Sequence, residues 1–133
     1  MKLLFIGFIV IVLILIILPA ELKSRRLLKR FWSRSCTGRQ WKRRFPDASN
    51  DSIREFLELF VDAFAFGREK RLKFGPEDNI IDVYKSIYTS SWQADVLELE
   101  FLACNLEERY GFDIISIHDF DITLGQIFEM TRK

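Results

Sequence analysis

Residues 3–18, LLFIGFIVIVLILIIL, contain no charged side chain and only one Gly. As a helix this run spans roughly 24 Å at about 1.5 Å per residue. Met1, Pro19 and Ala20 extend it to about the thickness of a bilayer core, roughly 30 Å. It is apolar on every face, and a core helix of so small a protein would need a polar side. A secretory signal peptide would show a charged leading region and a small-x-small cleavage site. Here the leading region is Met1-Lys2, and no such site stands out near LPAELKS. The run is therefore read as a single transmembrane anchor, residues 1–20.

Charge divides the rest. The formal net charge of the 133 residues is only +1. Residues 21–46 nevertheless carry Lys23, Arg25, Arg26, Lys29, Arg30, Arg34, Arg39, Lys42, Arg43 and Arg44 against one acid, Glu21, a net of +9. Residues 47–133 carry nine basic and eighteen acidic side chains, a net of −9. A basic juxtamembrane collar (21–46) thus joins the anchor to one small acidic domain (47–133). Only Lys2 precedes the span, so the positive-inside rule places the C-terminal domain in the cytoplasm.

Within the collar, Leu22, Leu27, Leu28, Phe31 and Trp32 fall near one helical face. Trp32 and Trp41 are of the type that settles at membrane–water interfaces. The collar is read as a helix resting on anionic headgroups through Lys23, Arg25, Arg26, Lys29, Arg30 and Trp32. Interleaved basic and aromatic residues also suit nucleic acid, but membrane proximity accounts for them, and no nucleic-acid partner is expected. The acidic domain would also find a basic surface in its own collar, through contacts that salt screens over about 8–10 Å. Two cysteines are too few for a disulfide framework. Cys104 sits in an apolar helical pattern and is read as a small core residue. Cys36, in the basic stretch near the membrane, is open to a reactive or lipidated thiol.

The domain begins with Ser52 and Glu55 at capping-box spacing. Ile53, Phe56, Leu57, Phe60, Val61 and Phe64 follow on one helical face, to a stop near Gly67. The basic patch Arg68–Lys73 leads into a Gly75-Pro76 turn. Residues 80–91 fit a short helix or an ordered loop. A helix over roughly 92–110 turns Leu99, Leu102, Ala103, Leu106 and Tyr110 inward and ends at Gly111. The last helix begins near Thr123, with Leu124, Ile127, Phe128 and Met130 facing the core. Three or four helices without a strand pattern predict an all-α bundle behind the transmembrane helix. The 13 Phe residues are expected mostly in its core.

Ala94-Asp95-Val96-Leu97, Leu106-Glu107-Glu108-Arg109-Tyr110, Phe112-Asp113-Ile114 and Thr123-Leu124-Gly125-Gln126-Ile127 succeed one another, with Pro76-Glu77-Asp78 upstream. In this order they resemble an acyl carrier protein over about 51–130. The ending Ile122-Thr123-Leu124-Gly125 is similar to a bacterial group of carrier-like proteins that lack the motif serine. The resemblance implies a small bundle of three or four helices, whose acidic second helix is its recognition surface. In a carrier, a serine at the place of Val96 is esterified by phosphopantetheine. Val96 has no hydroxyl, so no cofactor is expected. Ser91, upstream, would serve only with a register shift that spoils the match at 106–114.

Three functions remain from different classes. The leading one is a non-catalytic, membrane-anchored interaction module. It would offer Asp95, Glu98, Glu100, Glu107 and Glu108 to a protein partner with a basic surface. The bilayer is its other partner, and the resemblance implies a bacterial inner membrane. The second is an acyl carrier loaded at Ser91. The third is an immunity or inhibitor protein. No enzyme is expected: His118 is the only histidine, no metal-ligand spacing surrounds it, and Asp78, Asp82 and Asp95 do not follow a calcium loop.

Overall fold

The computed structural model describes residues 1–89, 96–116 and 120–133. Its elements are α1 (Lys2–Trp32), α2 (Gly38–Arg44), α3 (Asn50–Ala63), a 3₁₀ helix over Arg68–Lys73, α4 (Ile80–Ile87), α5 (Leu97–Tyr110) and α6 (Leu124–Thr131). The protein is an all-α bundle behind a long N-terminal helix. Ser91, Asp95 and His118 lie outside the described residues.

α1 is unbroken through Pro19 and is long and apolar enough to cross a membrane once. At about 1.5 Å per residue it measures roughly 46 Å, more than a bilayer core needs. Its last turns are part of the bundle. Phe31 is buried, and Trp32 is half-buried with its ring edge-on to Phe66 at 5.1 Å and to Phe74 at 5.6 Å. Trp41 is wholly buried, which corrects its reading as a membrane-interface residue. Phe45 is buried with it. The collar therefore supplies core aromatics to the domain that starts at 47. High charge density hid them: the cations lie on the outer faces of α1 and α2, while the rings between them turn inward.

One aromatic cluster joins the pieces. The Phe74 ring lies 5.3 Å from Phe31, 5.0 Å from Phe60 and 5.5 Å from Phe66. Its carbonyl accepts from Trp41 Nε1 at 2.9 Å and from Thr37 Oγ1 at 2.8 Å. A second group centres on Phe128, which lies 5.7 Å from Trp41, 5.0 Å from Phe45 and 5.3 Å from Phe56. The expected face of α3 (Ile53, Phe56, Leu57, Phe60, Val61, Phe64) is buried throughout. Each such side chain removed from water is worth about 1.5–3 kcal/mol before ordering costs.

Helix ends depart from expectation where local hydrogen bonds decide. The N-cap of α3 is Ser49, whose hydroxyl accepts from Ser52 N at 3.0 Å, so the helix starts earlier than Ser52. Glu55 is not a capping partner; its carboxylate takes Arg109. α3 stops at Ala63, before Gly67, and Ala65 takes a left-handed φ of 54°. The full capping box is at α6, where Thr123 Oγ1 accepts from Gln126 N at 3.2 Å and Gln126 Oε1 accepts from Thr123 N at 2.9 Å. Gly111 ends α5 at φ 64°, a conformation that favours glycine. Gly125 lets α6 approach the 75–80 loop: its N donates to Pro76 O at 2.8 Å, and a Cβ there would meet that same oxygen at 2.8 Å. Met130 is exposed, not inward, because Ile127 and Phe128 already fill the core side of α6.

Among the described residues two ion pairs join collar to domain. Arg34 Nη1 reaches Asp78 Oδ2 at 2.6 Å, and Arg44 reaches Glu77. Asp78 Oδ2 also accepts from Gly75 N at 2.7 Å and is well sheltered, whereas Glu77 is exposed. Asp78→Ala should therefore cost about 1–3 kcal/mol in chemical denaturation. Glu77→Ala should cost under about 1 kcal/mol and vanish in high salt. Trp41→Ala should cost about 3–5 kcal/mol. A chain beginning at Asp47 should show no cooperative unfolding by circular dichroism, while one beginning at Glu21 should.

Candidate functional site

α5 is the acidic helix that the sequence singles out. Leu99, Leu102, Ala103 and Leu106 hold it on the core, and Tyr110 is half-buried at its end. Its first residue follows Val96, which occupies the N-cap position and offers no side-chain acceptor to the open N–H groups. Glu98 and Glu100 in the first turn suit the positive end of the helix, and Arg109 suits the last turn.

The expected recognition acids separate. Glu100, Glu107 and Glu108 are exposed on the outer side of α5. Glu98 turns toward the protein instead. One of its carboxylate oxygens accepts the Tyr88 hydroxyl, and the other is buried without a hydrogen-bond partner among the described residues. Asp95 lies outside the described residues.

Among the described residues six acids of the domain face arginines. Asp47 faces Arg132, Glu55 faces Arg109, Glu58 faces Arg71, Asp62 faces Arg68, Glu77 faces Arg44 and Asp78 faces Arg34. The Arg132 hydrogen bond holds the Asp47 carboxyl below its ordinary range, and the Asp62 carboxylate raises Arg68 in the same way. Glu100, Glu107 and Glu108 have no ion pair among the described residues.

Cys104 is exposed on the same outer side, which corrects its reading as a core residue. Ala103 takes the inward position, and one residue on, about 100° around the helix, Cys104 points to solvent. Cys36 is exposed as well. The sequence pattern also missed three apolar residues on the outside of α5: Val96, Leu97 and Phe101. Leu97 and Phe101 are four apart and so share a face. They alternate with Glu98 and Glu100, so the run Leu97-Glu98-Leu99-Glu100-Phe101 carries more apolar side chains than the inward stripe uses.

The collar cations Lys23, Arg25, Arg26, Lys29 and Arg30 are exposed along α1. Trp32, expected beside them at the lipid surface, packs on Phe66 and Phe74, with Lys70 Nζ 5.2 Å from its ring centroid. It lies twelve residues past Ala20, roughly 18 Å along the helix. Arg39, Lys42 and Arg54 line an open basic cleft between α2 and α3. Among the described residues no three His, Cys, Asp or Glu side chains converge as metal ligands.

Tyr110 closes the far end of α5. Burial raises its hydroxyl above the usual 10.0, the Glu55 carboxylate adds to this, and Arg109 opposes it. The fold favours the neutral phenol, so the stability it holds below about pH 10 is lost as pH rises through the raised value. The phenolate absorbance should show a late alkaline step that disappears in Tyr110→Phe.

Compared with protein-family models, with curated proteins and with solved structures, the chain shows no significant match to any of them.

Proposed function

We propose that this chain is a membrane-anchored, non-catalytic, acyl-carrier-like interaction module. Its α5 would meet a protein partner through a basic surface on that partner. One observation carries the reading: Glu100, Glu107 and Glu108 stand outward on one helix with no ion pair among the described residues, and the only basic side chain of that helix, Arg109, is taken by Glu55. Unpaired like charges on a domain of net −9 favour fast encounter with basic partners. The order of short helix, acidic helix and capped terminal helix agrees with the carrier likeness. Val96 at the opening of α5 leaves no hydroxyl there for phosphopantetheine. On this reading α1 holds the domain at the cytoplasmic face of a bacterial inner membrane, with Lys23, Arg25, Arg26, Lys29 and Arg30 toward anionic lipid.

Exposed Cys104 gives a direct test. In a Cys36→Ser background, a photo-crosslinker on Cys104 should capture a protein neighbour in membranes. The double change Glu107→Lys and Glu108→Lys should weaken capture on the order of tenfold, about 1.4 kcal/mol. Capture that charge reversal leaves unchanged would sink the reading. The intact mass of the protein, made with a broad-specificity phosphopantetheinyl transferase, should equal the bare chain. A gain of one phosphopantetheine, lost in Ser91→Ala, would make it an anchored acyl carrier instead.

A further inference from the structure

The path of the chain after α1 fixes which end of the domain faces the bilayer. Arg34, just past the end of α1, holds Asp78, just before α4. Ser24, nearer the span, donates through Oγ to Ser86 O near the end of α4 at 3.1 Å. Ten residues back along α1 thus match eight forward along α4, roughly 15 Å against 12 Å of helix. α4 runs antiparallel to α1 and returns toward the membrane. Ser24 lies four residues past Ala20, so the end of α4 sits only about 6 Å beyond the apolar run.

α5 begins at that same level. Tyr88, the C-cap of α4, donates its hydroxyl to Glu98 in the first turn of α5. The opposite end of α5 is held elsewhere, by Arg109 on Glu55 of α3. Apolar side chains are about half exposed at that end of α5: Val96 is 56% exposed, Leu97 47% and Phe101 52%. Lys23 and Arg26 on α1 and Lys85 on α4 are exposed at a similar height. Tyr84 and Tyr88 pair there at 5.1 Å, and tyrosine favours the membrane–water boundary.

The geometry points to a second membrane contact: Val96, Leu97 and Phe101 dip into the interfacial layer of the same bilayer that α1 crosses. Lys23, Arg26 and Lys85 would lie over its anionic headgroups. This rests on α1 spanning the membrane. The occupant is lipid because bare apolar groups and cations meet at the one end of the domain that α1 brings against the bilayer. The contact would seat the domain in one orientation and leave Glu107 and Glu108, about 15 Å further along α5, toward the water.

The test uses the full chain with Cys36→Ser and Cys104→Ser, reconstituted in vesicles of phosphatidylcholine and phosphatidylglycerol. Single nitroxide labels are placed through Leu18→Cys, Val96→Cys, Phe101→Cys and Glu108→Cys. The readout is collision with oxygen, which concentrates in lipid, against collision with a water-soluble nickel chelate. The expected oxygen-to-nickel ratio is highest at 18, several-fold above the Glu108 value at 96 and 101, and lowest at 108. A lipid-like ratio at 18 with aqueous values at 96 and 101 equal to that at 108 overturns the second contact and leaves the patch to a protein. An aqueous value at 18 overturns the spanning role of α1, and this inference with it.

Discussion

Phe74 is the point on which the fold turns. Its ring receives Phe31 and Trp32 from α1, Phe60 from α3 and Phe66 from the turn that follows. Its carbonyl receives Trp41 and Thr37 from the collar. A buried carbonyl with two donors is satisfied, and its donors are thereby fixed in place. The result is mechanical: a helix with the length and composition of a membrane span runs without a break into the hydrophobic core of the domain. A flexible linker would let such a domain sample many orientations, whereas this attachment gives it one.

The parts of the fold that were legible in the sequence are those set by one strong signal. Residues 3–18 depend on unbroken apolarity and the apolar face of α3 on spacing, and the structure follows both. The collar was misread because two signals overlap there. Ten cations dominate residues 21–46, and membrane proximity explains them, so Phe31, Trp41 and Phe45 drew no attention as core. Only tertiary partners far along the chain, such as Phe74 and Phe128, reveal their role. The start of α3 shows a competition of another kind. Ser49 and Ser52 both precede the apolar run, and the choice between them depends on which backbone extends before the helix, which spacing does not encode.

The acidic helix was partly legible. Its inward stripe and its Gly111 stop follow from periodicity and from the left-handed residue that ends it. The division of its acids does not. Glu98 and Glu100 are two apart and chemically alike, yet one meets Tyr88 while the other stands in solvent. That difference comes from Tyr88, just past the end of α4, reaching the first turn of α5, a contact made by the fold. Cys104 went astray for a similar reason: the core side needed only one small residue there, and Ala103 supplies it.

Charge follows the same logic at larger scale. A +9 collar and a −9 domain invite wholesale attraction, but the structure resolves it into a few placed pairs. Arg34 on Asp78 is sheltered and shares its acceptor with Gly75, so it sets the start of α4 against the end of α1. Pairs as exposed as Arg44–Glu77 contribute little to stability. Six arginines face acids of the domain, while Glu100, Glu107 and Glu108 on α5, and Lys23 and Arg26 on α1, have no ion pair among the described residues. The two kinds of unsatisfied charge therefore fall on different parts of the molecule. On the proposed reading that separation lets anionic lipid and a basic protein be engaged together: neither competes for the other's contacts, and the rigid α1 keeps them apart.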